Sequence, residues 1–380
     1  MPAAAARPRG IIQRSETAFN LNRATPAERV RHARIAFDYG ASIQNAEVNY
    51  KQTIEGLTLL VNLGGGTNSL QFTDATVTGK MTVIGGSAAD MVQLSGDTLG
   101  ALSIATGNGG DTINLSTITI NPDQTDPDSD MDFGWWGALW GAFWGRLEHR
   151  LEGADGSLNI QTGSGNDSMT LNSVTGTSSS GGSGLWHLFD GLWCFGSQWR
   201  ISTGSGTDSV SLDTVTTPRS LTVQGGAGND TVSLNNTTVN GLTNVGLSAG
   251  QDQIHVSGST FTGPTRLATG AGDGQSISVD DSTFKSFTSL SVPGSGAQLK
   301  LETNDVAGPG TTFQRAVVVS LPGPSAVADI GAAGANNTLD FQGFVFVFGG
   351  NPKATVNIAT ASTTIDDSKL FLFSADRNDV

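Results

Sequence analysis

Six aspartates, Asp90, Asp111, Asp167, Asp208, Asp230 and Asp252, are the residues of this chain best spaced to do chemistry. Four of them, at 111, 167, 208 and 230, close a glycine-rich turn that begins Gly-x-Gly. The steps from each member to the next are 21, 56, 41, 22 and 22. A carboxylate that returns at a fixed interval beside such turns has two uses. It offers oxygen to a hard cation such as calcium, or it accepts backbone amides in tight corners. The first use needs neighbouring turns to close around the ion, and only the second is satisfied by one carboxylate per turn.

A second group of acids, Asp126, Asp128, Asp130 and Asp132, alternates within Asp123–Asp132 as at the start of a calcium loop. The glycine expected sixth is Met131 and the glutamate expected twelfth is Gly137, so a solvated acidic linker is expected, with weak calcium binding as the alternative. No other cofactor is implied. His32, His149, His187 and His255 are scattered, and the single Cys194 excludes an internal disulfide and a thiolate zinc cluster. Arg200 stands at −8 from Asp208, Arg219 at −11 from Asp230 and Arg266 at −7 from Asp273, offsets that predict no basic column. No catalytic residue is assigned, and the chain is expected not to be an enzyme.

The elements that must position these acids follow from the phrase around them. Leu221–Leu234 reads LTVQGGAGNDTVSL, with near copies at Leu102–Leu115, Leu158–Leu171 and Trp199–Leu212. Apolar residues alternate with polar ones on both sides of the glycine turn, which is strand periodicity. A third short run, such as Ser173-Val174 or Thr214-Val215, closes the repeat. A period of about 22 residues marks a stacked array in which no unit buries its apolar face alone. The expected fold is therefore all-β, a single-stranded parallel β-helix (β-solenoid) of about 21–22 residues per coil. About 9–12 coils would stack at about 4.8 Å each.

Gly225–Ser233 matches the repeats-in-toxin nonapeptide G-G-x-G-x-D-x-U-x. That resemblance implies calcium between tandem turns, but here the phrase occurs once per coil and never in tandem. The whole pattern looks more like the right-handed, pectate-lyase-like β-helix repeats of bacterial surface proteins. This implies an elongated surface protein. The six aspartates themselves are expected to be structural corners, with calcium binding as the alternative.

Composition bounds the partners. The net charge is −14, of which residues 1–51 carry +4 (eight Lys/Arg, four Asp/Glu) and the rest −18. An acidic chain lacks the basic footprint that nucleic acid requires. No apolar run reaches the length of a membrane span, and the first residues lack the apolar stretch of a secretory signal. A cell-surface or extracellular location is expected, by a route the sequence does not identify. Thr25-Pro26-Ala27-Glu28 reads as a capping box, so residues 1–55 are expected to form an arm and a capping helix with Val30, Ala33 and Phe37 on one face. The solenoid is expected over 56–305. Further coils and an aromatic cap, built on Phe341, Phe344, Phe346 and Phe348, are expected over 306–380.

The two long steps between aspartates open insertions at equivalent points, after Asn121 and after Thr177, each at +10 from its aspartate. The first (121–156) holds Phe133, Trp135, Trp136, Leu139, Trp140, Phe143 and Trp144, with glycines every fourth residue at 137, 141 and 145. The second (178–198) holds Leu185, Trp186, Leu188, Phe189, Leu192, Trp193 and Phe195. Spacing predicts a helix in each, and hence a Trp-rich two-helix protrusion from one corner of adjacent coils. Trp199 holds a leucine position of the repeat and is expected in the core. A large exposed apolar patch marks an interaction site. The expected function is a structural or adhesive solenoid whose protrusion drives homo-oligomerisation or envelope attachment. Alternatives are a carbohydrate-binding or polysaccharide-cleaving β-helix acting on surface polysaccharide, and a peripheral protein seated in a membrane interface.

Overall fold

The computed structural model describes residues 35–38, 47–50, 53–54, 59–121, 156–177, 198–303, 308–331, 338–360 and 362–380. Among them the chain is all-β and winds as a parallel β-solenoid, with one 3-10 turn at Asp367–Lys369. Each coil has three faces. In one repeat these are Leu221–Gln224, Thr231–Asn235 and Thr238–Val239. Each strand pairs in parallel with its counterpart one coil on: Leu221 with Thr243, Val232 with Ile254, Val239 with Phe261. Leu221, Val223, Val232, Leu234 and Val239 point inward and are buried, while their neighbours point outward, because side chains alternate along a strand.

Two compact units are distinguished, Met1–Gly163 with Val174–Gln198, and Ser164–Ser173 with Trp199–Val380. The first has four second-face strands, from Glu47–Tyr50 to Thr112–Ser116, and the second has nine, from Ser168–Asn172 to Ala375–Asp379. These thirteen exceed the nine to twelve coils expected. Pairing also extends to both sides of residues 56–305. At the amino-terminal side Ile35–Asp38 pairs with Leu59–Asn62, so Phe37 is in a strand and not on the expected helix. The capping box itself, Thr25–Glu28, lies outside the described residues. Towards the carboxy terminus the coil lengthens, as the pairings Gln298 with Val327 and Val327 with Thr355 show, and the repeated phrase is no longer recognisable there.

The third strand is placed two residues later than expected, at Thr175–Gly176 and Thr216–Thr217. Ser173 and Thr214 instead take left-handed backbone, φ 56° and 55°, and form the corner that turns the chain out of the second face. Inside the second unit that corner carries a ladder of hydroxyls. The Thr237 amide donates to Ser259 Oγ at 3.0 Å, that of Ser259 to Ser282 Oγ at 3.1 Å, and that of Ser282 to Thr311 Oγ1 at 3.1 Å. Ser259→Ala removes one buried acceptor. It is expected to lower stability by about 1–3 kcal/mol, read as a lower urea midpoint.

Trp199 is fully buried, in register with Leu221. On the third face Phe261, Phe284, Phe313 and Phe341 form a continuous interior stack, with centroids 4.9, 4.7 and 5.1 Å apart. Phe341 therefore ends a core ladder, while Phe344 and Phe346 cluster with Phe371, and Phe348 stacks on Phe373, near the carboxy terminus. Phe344 and Phe348 face outward from the coil, 50% and 41% exposed.

Candidate functional site

The repeated aspartates bind the scaffold's own backbone. All six are buried. In the first unit the Asp90 amide donates to Asp111 Oδ1 at 2.8 Å, and Asn68 donates both its amide and Nδ2 to Asp90 Oδ1. In the second, the amides of Asp167, Asp208 and Asp230 donate to Oδ1 of Asp208, Asp230 and Asp252 at 2.9, 3.1 and 3.0 Å. The carboxylates of Asp90, Asp111, Asp208, Asp230 and Asp252 thus tie their corners to the preceding coil. The glycines beside them stack backbone on backbone: a Cβ on Gly226 would fall 1.0 Å from the Gly204 carbonyl oxygen, and Gly228, at φ 129°, would meet that of Gly206 at 1.7 Å. Two buried amides extend the columns, Asn68 one period before Asp90 and Gln275 one period after Asp252. Looking one step beyond the aspartates would have found both.

Burial is the main influence on Asp208, Asp230 and Asp252. It pushes Asp230 up to about 6, opposed by the amide of Asp208 and assisted by the charges of Asp208 and Asp252. Asp208 and Asp252 are raised for the same leading reason. In the first unit Asp97, buried at another corner, accepts the Ala75 amide at 2.7 Å and is likewise pushed up to about 6 by burial. Among the described residues, no three His, Cys, Asp or Glu side chains converge in a way that holds a metal ion.

The third corner, between the third face and the first, carries the insertions. Thr119 and Ile120 pair with Thr175 and Gly176, so the chain leaves the first unit's third face at equivalent places on neighbouring strands. The Thr177 hydroxyl donates to Asn121 Oδ1 at 2.9 Å, and the Thr177 amide to the Ile120 carbonyl at 2.9 Å. The returns are also joined, since the Leu158 amide donates to the Gln198 carbonyl at 3.3 Å. Residues 122–155 and 178–197 lie outside the described residues. With them lie both expected helices, all fourteen candidate interaction side chains from Phe133 to Phe195, and the acids Asp126, Asp128, Asp130 and Asp132.

Two surface features of the second unit were not expected. Arg200 and Arg266 share one outward column of the first face, because Arg200 registers with Thr222, Thr222 with Asn244 and Asn244 with Arg266. Offsets measured from the ladder hid this, since the turn after Arg266 is one residue longer: Arg200 stands at −8 from Asp208 and Arg266 at −9 from Gln275. Arg200 donates to Gln224 Oε1 at 2.7 Å and Arg266 to Asn244 Oδ1 at 3.3 Å.

The other feature runs along the third corner. The amides of Leu221, Thr243, Thr265, Thr288 and Val317 donate to the carbonyls of Leu242, Pro264, Phe287, Ala316 and Phe344, which places those five acceptors in one axial column. Leu242, Phe287 and Phe344 are 49%, 45% and 50% exposed. Leu242, Pro264 and Phe287 each stand at +12 from a ladder residue (Asp230, Asp252, Gln275). The periodic signal was therefore present, but single apolar residues one period apart read as core.

No helix among the described residues is long and apolar enough to cross a membrane. Comparison with protein-family models, with curated proteins and with solved structures finds no match for this chain.

Proposed function

We propose that this chain is a non-enzymatic structural or adhesive β-solenoid of the cell surface or extracellular space, whose Trp-rich insertions mediate self-association or attachment to the envelope. The finer likeness, to β-helix repeats of bacterial surface proteins, belongs to this reading. One observation carries it: the stems of both insertions are hydrogen-bonded to each other, Thr177 to Asn121, so two tryptophan-rich segments issue from one spot on a regular scaffold. The ladder aspartates support it as well, since their carboxylates serve the fold. Apolar side chains concentrated at one point favour association over solvation.

Light scattering after size exclusion tests the proposal. The full chain is expected to run as an oligomer and a chain lacking Pro122–Gly153 as a monomer. Monomers in both cases end the self-association reading, and pelleting of only the full chain with liposomes moves the function to a membrane interface. The Arg200–Asn244–Arg266 column favours a second reading, capture of an anionic polysaccharide lying along the first face. Arg200→Ala with Arg266→Ala is then expected to abolish salt-sensitive retention on an immobilised polyuronate. Unchanged retention removes that reading.

A further inference from the structure

The apolar column at the third corner of the second unit has no part in either reading above. Leu242, Pro264, Phe287, Ala316 and Phe344 succeed one another over four coil steps, a run of about 19 Å at about 4.8 Å per step. Isolated apolar side chains on a surface are ordinary, but an in-register column of half-exposed ones is a contiguous patch and calls for a cover. With Leu242, Phe287 and Phe344 about half exposed, the strip has the character of a seat for a second molecule.

Charge identifies it. The chain carries −14, yet Arg219, Lys285, Arg315 and Lys369, four of the nine basic residues of the second unit, lie at this corner. Arg219 sits one coil from Gly241 and Arg315 one coil from Gly343, each beside the column. Asp340 and Asp366 are confined to its carboxy-terminal end. A complementary occupant is a segment with acids next to large apolar side chains. Such a segment exists in this chain: five aspartates between Asp123 and Asp132 lead directly into Phe133–Gly145 with its four tryptophans. The helix that sequence spacing leads one to expect there would measure about 20 Å over its thirteen residues, the length of the column.

We infer that the acidic and aromatic segment Asp123–Gly145 of one copy docks lengthwise along the Leu242–Phe344 column of a second copy, its aspartates against Lys285 and Arg315. The inference rests on the self-association reading and names the surface that receives the insertion. It also gives the Asp126–Asp132 run a partner other than calcium. Aromatic anchors on an apolar strip would supply affinity, and the flanking charges orientation and speed of encounter.

Complementary variants of the full chain provide the test, read by sedimentation and light scattering. Leu242→Ser/Phe287→Ser/Phe344→Ser is expected to be monomeric with an unchanged far-ultraviolet spectrum, as is the chain lacking Pro122–Gly153. Mixed together, these two monomers are expected to associate, because each retains the part the other lacks. Lys285→Glu/Arg315→Glu, which spares the apolar column, is expected to weaken association by about tenfold or more and to flatten its salt dependence. It serves as the readout should the triple variant unfold. If the deletion is monomeric while both column variants associate as the natural chain does, self-association stands and this surface is wrong. If the natural chain is itself monomeric, the self-association reading falls and the inference falls with it. Failure of the mixed monomers to associate, or a monomer whose tryptophan emission shifts on the triple substitution, also overturns the inference.

Discussion

Phe284→Ala is expected to cost about 3–5 kcal/mol, the range for emptying a buried aromatic site, and to fall at the upper end of it. Phe284 is fully buried and has an aromatic ring on both sides, Phe261 at 4.9 Å and Phe313 at 4.7 Å, nearly parallel at 19° and 13°. Each such pair contributes about 0.5–1.5 kcal/mol beyond area burial. Both are lost in this variant, together with the volume of the ring. The neighbours cannot close the gap, because each is held at its own coil by backbone pairing, Thr283–Phe284 to Thr260–Phe261 on one side and to Thr312–Phe313 on the other. Phe261→Ala makes a useful comparison. Its other neighbour in register is Val239, so only one ring pair is lost and a smaller cost is expected. Phe284→Leu restores most of the volume but no stacking and should recover about half of the loss. Since each coil of a solenoid touches only its neighbours, the damage should be local. Hydrogen exchange is expected to show protection falling first in the strands around 261, 284 and 313. A uniform fall along the chain, or equal costs at 261 and 284, would contradict the ladder as the source of stability.

Why the coils were legible in the sequence while the surface was not has a physical basis. Inward positions are constrained in every coil by the same requirement, burial on a pleated strand, so Leu221, Val223, Val232 and Leu234 repeat their types as well as their spacing. The corner aspartates are constrained too, since a buried amide of the preceding coil needs an acceptor, and so they stand out as a column. Trp199 was assignable to the core because the repeat around it leaves no other place. Outward positions carry no such requirement. Arg200 and Arg266 meet in one column with Thr222 and Asn244 between them, a relation that strand register shows and that the extra residue in the turn before Gln275 conceals. Phe344 and Phe348 were grouped with Phe341 because hydrophobicity alone does not distinguish an interior ladder from an exposed strip. The alternation does, with Phe341 buried and Phe344 and Phe348 outside. The left-handed corners at Ser173 and Thr214 escaped notice for a related reason: without glycine, a residue of positive φ leaves no mark in the sequence.

Mild acid is expected to stabilise this solenoid, opposite to the usual acid denaturation. The sign follows from the buried acids. Asp230 and Asp97 are pushed up to about 6 by loss of water, and Asp208 and Asp252 are also raised. A carboxyl whose value is higher in the folded chain than in the unfolded one takes up a proton on folding. Its favourable contribution is complete below the ordinary carboxylate value near 4 and is lost as pH rises through about 6. Stability should therefore fall between about pH 4 and pH 7, by up to about 3 kcal/mol for a single group raised this far. The contributions do not simply add in the second unit. Asp208, Asp230 and Asp252 succeed one another in adjacent coils, and protonating one relieves the repulsion on the next. Exposed pairs oppose the trend only weakly: Lys353–Asp376, at 2.8 Å and largely solvated, is the kind of contact whose loss in acid costs little. Urea unfolding at pH 4.5, 5.5, 6.5 and 7.5 reads the slope, and substitution isolates its origin. Asp230→Asn cannot titrate, so its stability should change less over this range than that of the natural chain. Asp97→Asn does the same for the first unit, at a corner where the charge of Asp74 adds to the effect of burial. A slope that persists unchanged in both variants would place its source in the general surface charge, and a stability maximum at pH 7 would show that these carboxyls are ionised at little cost.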